Sequence, residues 1–125
     1  MTESTKRYRF LVVEDEFMIT MLLEDFLTDL GHELAGKAET IAEGIRIIET
    51  SLDIDAAILD MNIRGETVSP IVDALTERRI PFCFMTGYGA AVSTSHPQAP
   101  ILGKPFDMND LEATIDKLLT DGERA

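Results

Sequence analysis

The sequence predicts an α/β fold in which a parallel sheet is covered by helices on both faces. Two observations carry that prediction. Short apolar runs alternate along the chain with segments of helical periodicity. The runs themselves, such as Phe10-Leu11-Val12-Val13 and Ala56-Ala57-Ile58-Leu59, are apolar throughout, as strands buried on both faces are.

Residues 8 to 13, YRFLVV, read as the first strand and end at Glu14-Asp15-Glu16. A helix follows from about Phe17 to Leu30, with Ile19, Leu22, Leu23, Phe26, Leu27 and Leu30 at spacings of three and four. Gly31 stands where a helix C-terminus favours glycine. Residues 33 to 38, ELAGKA, form a weaker second strand. Thr40 opens a capping box with Glu43 three residues on, and Ile41, Ile45, Ile48 and Leu52 stripe the second helix. The third strand is residues 55 to 60, and the loop MNIRGET follows it. Ser69 as N-cap and Pro70 at the first helical position start the third helix. The fourth strand is residues 81 to 86, PFCFMT. The next segment, GYGAAVSTSHPQA, has two glycines, a proline and no apolar stripe, so the fourth helix expected there is weak or mobile. PILGK is a short fifth strand, and a last helix runs from Asp107 as N-cap through Leu111, Ile115, Leu118 and Leu119.

The chain has 125 residues and a hydrophobic content of 45%, enough for one core. With 11 basic and 23 acidic side chains the net charge is -12, and no basic run occurs, which argues against direct nucleic-acid binding. The single cysteine, Cys83, rules out an intrachain disulfide and reads as a core thiol. No membrane-length apolar stretch and no signal-peptide core are present, so the expected location is cytoplasmic. No second domain or attached output module is expected.

Right-handed crossovers bring the C-terminal ends of parallel strands to one edge, where ligands of such sheets bind. Glu14 and Asp15 stand after the first strand, Asp60 after the third, Thr86 after the fourth and Lys104 after the fifth. Each has a use in phosphoryl transfer. An Asp carboxylate attacks phosphorus to form an aspartyl-phosphate, and Asp60, alone at its strand end, is the candidate nucleophile. Glu14, Asp15 and Asp60 offer the oxygen ligands that Mg2+ takes. Lys104 supplies a point charge for phosphoryl oxygens, Thr86 a hydroxyl donor, and Gly87 room for the phosphodonor. Singly, each residue has a plainer reading as a helix cap, turn residue or solvated lysine. The convergence at one sheet edge is what separates them from that reading.

The pattern resembles the receiver domain of two-component response regulators over residues 7 to 121. VVEDE, AAILDMN, MTG and GKPF occur in that family's order and at its spacing. The resemblance implies a flavodoxin-like (βα)5 three-layer sandwich with strand order 2-1-3-4-5. It implies that Asp60 accepts a phosphoryl group from a kinase phosphohistidine. It implies Mg2+ held by the Glu14, Asp15 and Asp60 side chains and by the Asn62 backbone carbonyl, with Thr86 and Lys104 on the phosphate and a cis bond before Pro105. PFCFMTGYG is similar to PFxFATGY-type receivers, often single-domain proteins of alphaproteobacteria paired with kinases of the HWE or related class, here with Met85 for the usual alanine. Residues 1 to 6 and 122 to 125 are then flexible tails.

Three features depart from the family. Glu14 stands where Asp is more usual, and Ile101 occupies the position of the aromatic switch residue, which makes Tyr88 a candidate substitute. Residues 87 to 99 are poor helix material, so phosphorylation is expected to change their order. The implied function is a stand-alone, phosphorylation-controlled protein-binding switch or phosphate sink that is no enzyme beyond its own phosphorylation and dephosphorylation. Its partners would be a histidine kinase and an unidentified downstream protein, with no nucleic acid and no membrane. The competing readings are an unphosphorylated scaffold and a small phosphatase. The phosphatase reading is weakened by Asn62, where a second Asp would be needed. His32 and His96 lie on no helix face and do not read as phosphorylated histidines.

Overall fold

A computed structural model describes residues 7–87 and 99–124, with side chains as far as 119 in the last helix. In chain order the elements are β1 (Arg9–Val13), α1 (Phe17–Asp29), β2 (Glu33–Ala38), α2 (Ile41–Thr50), β3 (Ala56–Asp60), β4 (Asn62–Ile63), β5 (Glu66–Thr67), α3 (Ser69–Glu77), β6 (Phe82–Gly87), β7 (Ile101–Lys104) and α4 (Met108–Arg124). Five strands form one parallel sheet in the order β2-β1-β3-β6-β7. With the small antiparallel ribbon β4-β5 set aside, this is the expected order 2-1-3-4-5 and the flavodoxin-like arrangement.

The uniformly apolar strands are explained by two cores. Leu11, Val13, Ala57, Leu59 and Phe84 pack on one face with Ile48 of α2 and Ile71, Val72 and Leu75 of α3. Phe10, Val12, Ile58, Cys83 and Met85 pack on the other with Leu23 and Leu27 of α1 and Leu111, Ile115 and Leu118 of α4. Successive strand residues point to opposite faces, and here both faces are dry. Cys83 is fully buried and its thiol is pushed up to about 12 by burial, which fits a packing role.

The helix ends follow local chemistry. Glu43 N–H donates to Thr40 Oγ1 at 3.1 Å, and the Glu43 carboxylate accepts from Glu39 N–H at 2.9 Å, one residue earlier than in the usual capping box. Asp107 and Asp110 cap each other reciprocally at 2.8 and 3.0 Å. α1 closes with Gly31 at φ +91 and the paired bonds His32 N–H to Leu27 O and Gly31 N–H to Thr28 O, a Schellman motif. α3 closes in the same way around Arg79 at φ +59.

Three expectations need correction. Val68, not Ser69, is the N-cap of α3, so Ser69 and Pro70 lie inside the first turn; Val68 is buried and its carbonyl accepts from Ile71 and Val72. The loop MNIRGET folds into the β4-β5 ribbon, because Arg64 (φ +53) and Gly65 (φ +82) make a two-residue turn with both residues left-handed. Leu52, expected on the stripe of the second helix, lies beyond it, because α2 ends at Thr50 with Ser51 as an extended C-cap, and Leu52 is exposed. The expected fourth helix, Tyr88 and His96 lie outside the described residues. Among the described residues no helix is long and apolar enough to cross a membrane.

Candidate functional site

The C-terminal ends of β1, β3, β6 and β7 meet at one edge of the sheet. Glu14 N–H extends the β1-β2 ladder by donating to Ala38 O at 3.0 Å. That pulls the residue inward, and its side chain is 0% exposed. One carboxylate oxygen accepts from Glu16 N–H at 2.9 Å, and the other accepts from Lys104 Nζ at 2.9 Å. Lys104 Nζ also donates to Asp60 Oδ2 at 3.2 Å and lies 3.8 Å from Glu16 Oε1. Asp60 Oδ1 is 3.5 Å from Asn62 N–H, at the limit of a hydrogen bond. Asp15 Oδ2 accepts from Arg64 N–H at 2.9 Å. One carboxylate oxygen each from Glu14, Asp15 and Asp60 falls within 4.8 Å of the others.

The electrostatics of this cluster are unbalanced. Burial raises Glu14 from its ordinary 4.5 to about 7, the Asp60 charge pushes the same way, and the bonds from Lys104 and Glu16 N–H only partly oppose it. Asp15 is lowered, chiefly by the Arg64 amide. Burial pulls Lys104 down, but the Glu14 hydrogen bond and the Glu14 and Asp60 charges outweigh it, so Lys104 is raised and stays an ammonium. The donor set is all oxygen, which fits a hard divalent cation such as Mg2+ and not a soft metal.

The structure brings Glu14, Asp15, Asp60 and Lys104 together. Asn62 opens the ribbon two residues beyond Asp60. Thr86 is 9% exposed near the end of β6, one position past Met85, the β6 partner of Asp60. Thr86 and Gly87 lie beside Gly103 and Lys104 in register. A Cβ on Gly87 would meet no described atom within 4 Å. The Lys104-Pro105 bond is cis, as the resemblance implies. Ile101 is 47% exposed on the edge strand. Sequence reasoning missed Glu16, the third carboxylate near Lys104, and Arg64, whose amide holds Asp15. Glu16 was visible in the run Glu14-Asp15-Glu16. Arg64 carried no signal, since its contribution is a main-chain N–H.

Beside the acids, the first turns of α1 expose Phe17 (65%), Met18 (75%) and Met21 (45%). On α1, Asp25 is exposed, whereas Glu24 is half-buried and paired with Lys37 at 3.2 Å. His32 is half-buried against Tyr8 and Phe10, and its Nδ1 accepts from Tyr8 N–H at 3.2 Å.

The likenesses to known proteins point the same way. No family model matches the chain. The solution structure of SdrG from Sphingomonas melonis Fr1 is 41% identical, with a TM-score of 0.81 over 90% of this chain and 97% of that one. The BeF3-activated conformation of SdrG from Pseudomonas melonis Fr1 is 42% identical, with a TM-score of 0.78 over 89% and 95%. The PhyR response regulator REC domain of Erythrobacter litoralis is 28% identical, with a TM-score of 0.79 over 91% of each chain. Among curated relatives, the phyllosphere-induced regulator PhyR of Methylorubrum extorquens is 28% identical over 113 residues, 87% of this chain and 42% of that protein. The chain thus spans less than half the length of the curated relatives it matches. Fold, strand-end chemistry and these likenesses together place the chain among the response regulator receiver domains.

Proposed function

We propose that this chain is a phosphorylation-controlled switch in which Asp60 accepts a phosphoryl group from a histidine kinase. The observation that carries the reading is Lys104 Nζ at 3.2 Å from Asp60 Oδ2, inside a three-carboxylate cluster at the strand ends. An Asp60 oxygen attacks phosphorus in line. The O–P bond forms as the P–N bond to the kinase imidazole breaks, and the bonding pair leaves on the ring nitrogen. Lys104, held beside Asp60, faces the new phosphoryl oxygens with its positive charge. Thr86 supplies a hydroxyl donor from the neighbouring strand.

Glu14, Asp15 and Asp60, with the Asn62 carbonyl, would hold Mg2+. When bound, the ion supplies the positive charge that lets two anions meet. The kinase would be of the HWE or related class, in keeping with the PFxFATGY-like run. The exposed Phe17, Met18 and Met21 beside the site suit contact with a protein donor. Output passes to another protein or ends in phosphate drainage from the kinase, in the cytoplasm, without activity on other substrates. Tyr88 stands in for the missing aromatic at Ile101; unchanged partner affinity on phosphorylation of Tyr88→Ala would count against that role. The likeness to a BeF3-activated SdrG favours a chain that responds to phosphoryl-like groups.

The test is incubation with acetyl phosphate, with and without Mg2+, beside Asp60→Asn, read by intact mass. A Mg2+-dependent phosphate mass that is absent from Asp60→Asn is expected. No gain, together with no response to beryllofluoride, would overturn the proposal in favour of an unphosphorylated scaffold.

A further inference from the structure

The β4-β5 ribbon touches the acidic cluster at two points. At its root, Asn62 N–H leans on Asp60 Oδ1 at 3.5 Å. At its tip, Arg64 N–H donates to Asp15 Oδ2 at 2.9 Å. Between them Ile63, the residue before the turn, is 1% exposed and packs into the core. The turn itself is held by a side chain. Arg64 Nε donates to Glu39 O at 3.2 Å, and a terminal guanidinium nitrogen lies 3.4 Å from Glu39 Oε1. Glu39 is itself anchored by its N–H to the Glu43 carboxylate at 2.9 Å. Arg64 makes these contacts from the first position of the turn, where its φ is +53, a conformation that disfavours a residue with a Cβ.

We infer that Arg64 is a positioning residue for the divalent-cation site: its guanidinium latches the ribbon tip to Glu39, and the tip's amide then fixes the Asp15 carboxylate. This rests on the reading of Glu14, Asp15 and Asp60 as cation ligands. A carboxylate with one oxygen held by a fixed N–H presents its other oxygen in one orientation, and outer partners of this kind set metal affinity. The guanidinium acts through the ribbon and touches none of the proposed ligand side chains.

Charge and latch predict opposite signs, which makes the idea testable. Arg64 is a cation near a cation site, so by charge alone its removal should tighten Mg2+ binding. Loss of the latch should weaken it, by roughly tenfold. The experiment is calorimetric titration of the full chain with Mg2+ alone, at fixed ionic strength, for the wild type, Arg64→Ala and Arg64→Gly. Arg64→Gly relieves the left-handed φ while losing the guanidinium, so it separates backbone strain from the latch. Urea unfolding of each variant shows whether folding is intact. Amide exchange at position 64, slow in the wild type and faster in Asp15→Ala, reads the held bond directly.

Weaker Mg2+ binding by both folded variants is the expected result. Equal or tighter binding by Arg64→Gly overturns the latch while leaving the cation site standing. Absence of Mg2+ binding by the wild type overturns the cation site itself, and the inference with it. Slow exchange at position 64 that persists in Asp15→Ala refutes the Asp15 bond independently of any metal.

Discussion

Replacing Glu14 with glutamine should flatten the pH dependence of stability in the metal-free protein. Glu14 is buried and its carboxyl moves from 4.5 in the open chain to about 7 in the fold. Between those values the native state keeps a proton that the unfolded chain has released, so stability falls as pH rises through the window. Below 4.5 both states are protonated and the penalty vanishes; above 7 it is complete. Each pH unit is worth about 1.4 kcal/mol, so the full window is worth about 3 kcal/mol. The amide in Glu14→Gln cannot ionise, so the variant loses this slope. It also changes the bonds to Lys104 and to Glu16 N–H, but that offset is nearly constant with pH, so slopes and not absolute stabilities are compared. The assay is urea unfolding followed by circular dichroism in EDTA at pH 5, 6, 7 and 8. Between the extremes the wild type should lose about 2–3 kcal/mol more than Glu14→Gln. Slopes that agree within about 1 kcal/mol would refute the claim that an only partly compensated buried carboxylate sits in the metal-free cluster. Mg2+ at pH 8 should then restore stability in the wild type more than in the variant.

Gly44 lies in α2 where a Cβ would come within 2.5 Å of Ile71 Cδ1, and Ile71 is fully buried. Gly44→Ala should therefore lower stability by about 1 kcal/mol, because overpacking of about 1–3 kcal/mol exceeds the helix-propensity gain of about 1 kcal/mol; Gly44→Ala with Ile71→Val should recover the loss in urea unfolding. Arg79→Gly should raise stability by roughly 0.5–1 kcal/mol in the same assay, by removing the left-handed strain at the end of α3. His32 is lowered from 6.5 by burial, with Asp116 opposing, and its Nδ1 accepts a hydrogen bond only while unprotonated. Stability should fall as pH drops below about 6.5, where the unfolded chain takes up the proton first; His32→Gln should show a smaller fall between pH 7.5 and 5.5 in thermal unfolding.

Much of the fold was legible because it rests on local chemistry. Apolar runs marked the sheet strands, and caps such as Thr40, Asp107 and Gly31 marked helix ends. The acids and the lysine were legible because the strand-end rule converts sequence order into spatial convergence. The ribbon was not legible. Its turn is Arg64-Gly65 instead of the Asn-Gly or Asp-Gly pairs that announce such turns, so propensity gave no warning. Ser69 was misplaced for a related reason: a buried hydrophobic residue took the cap position, and tertiary packing outranked side-chain capping. The proton affinity of Glu14 was also hidden, since it depends on burial that only the ladder bond to Ala38 imposes.

The contact between Lys104 and Glu14 joins residues 90 positions apart. It therefore cannot form until β3 and β6, the two strands between β1 and β7 in the sheet, have docked with their crossovers, and such distant closures come late in folding. A nascent, truncated or locally unfolded chain has Asp60 but not its neighbours. Under the proposed function, competence to receive a phosphoryl group would then require completed folding, and a damaged copy would fall silent instead of sending a false signal.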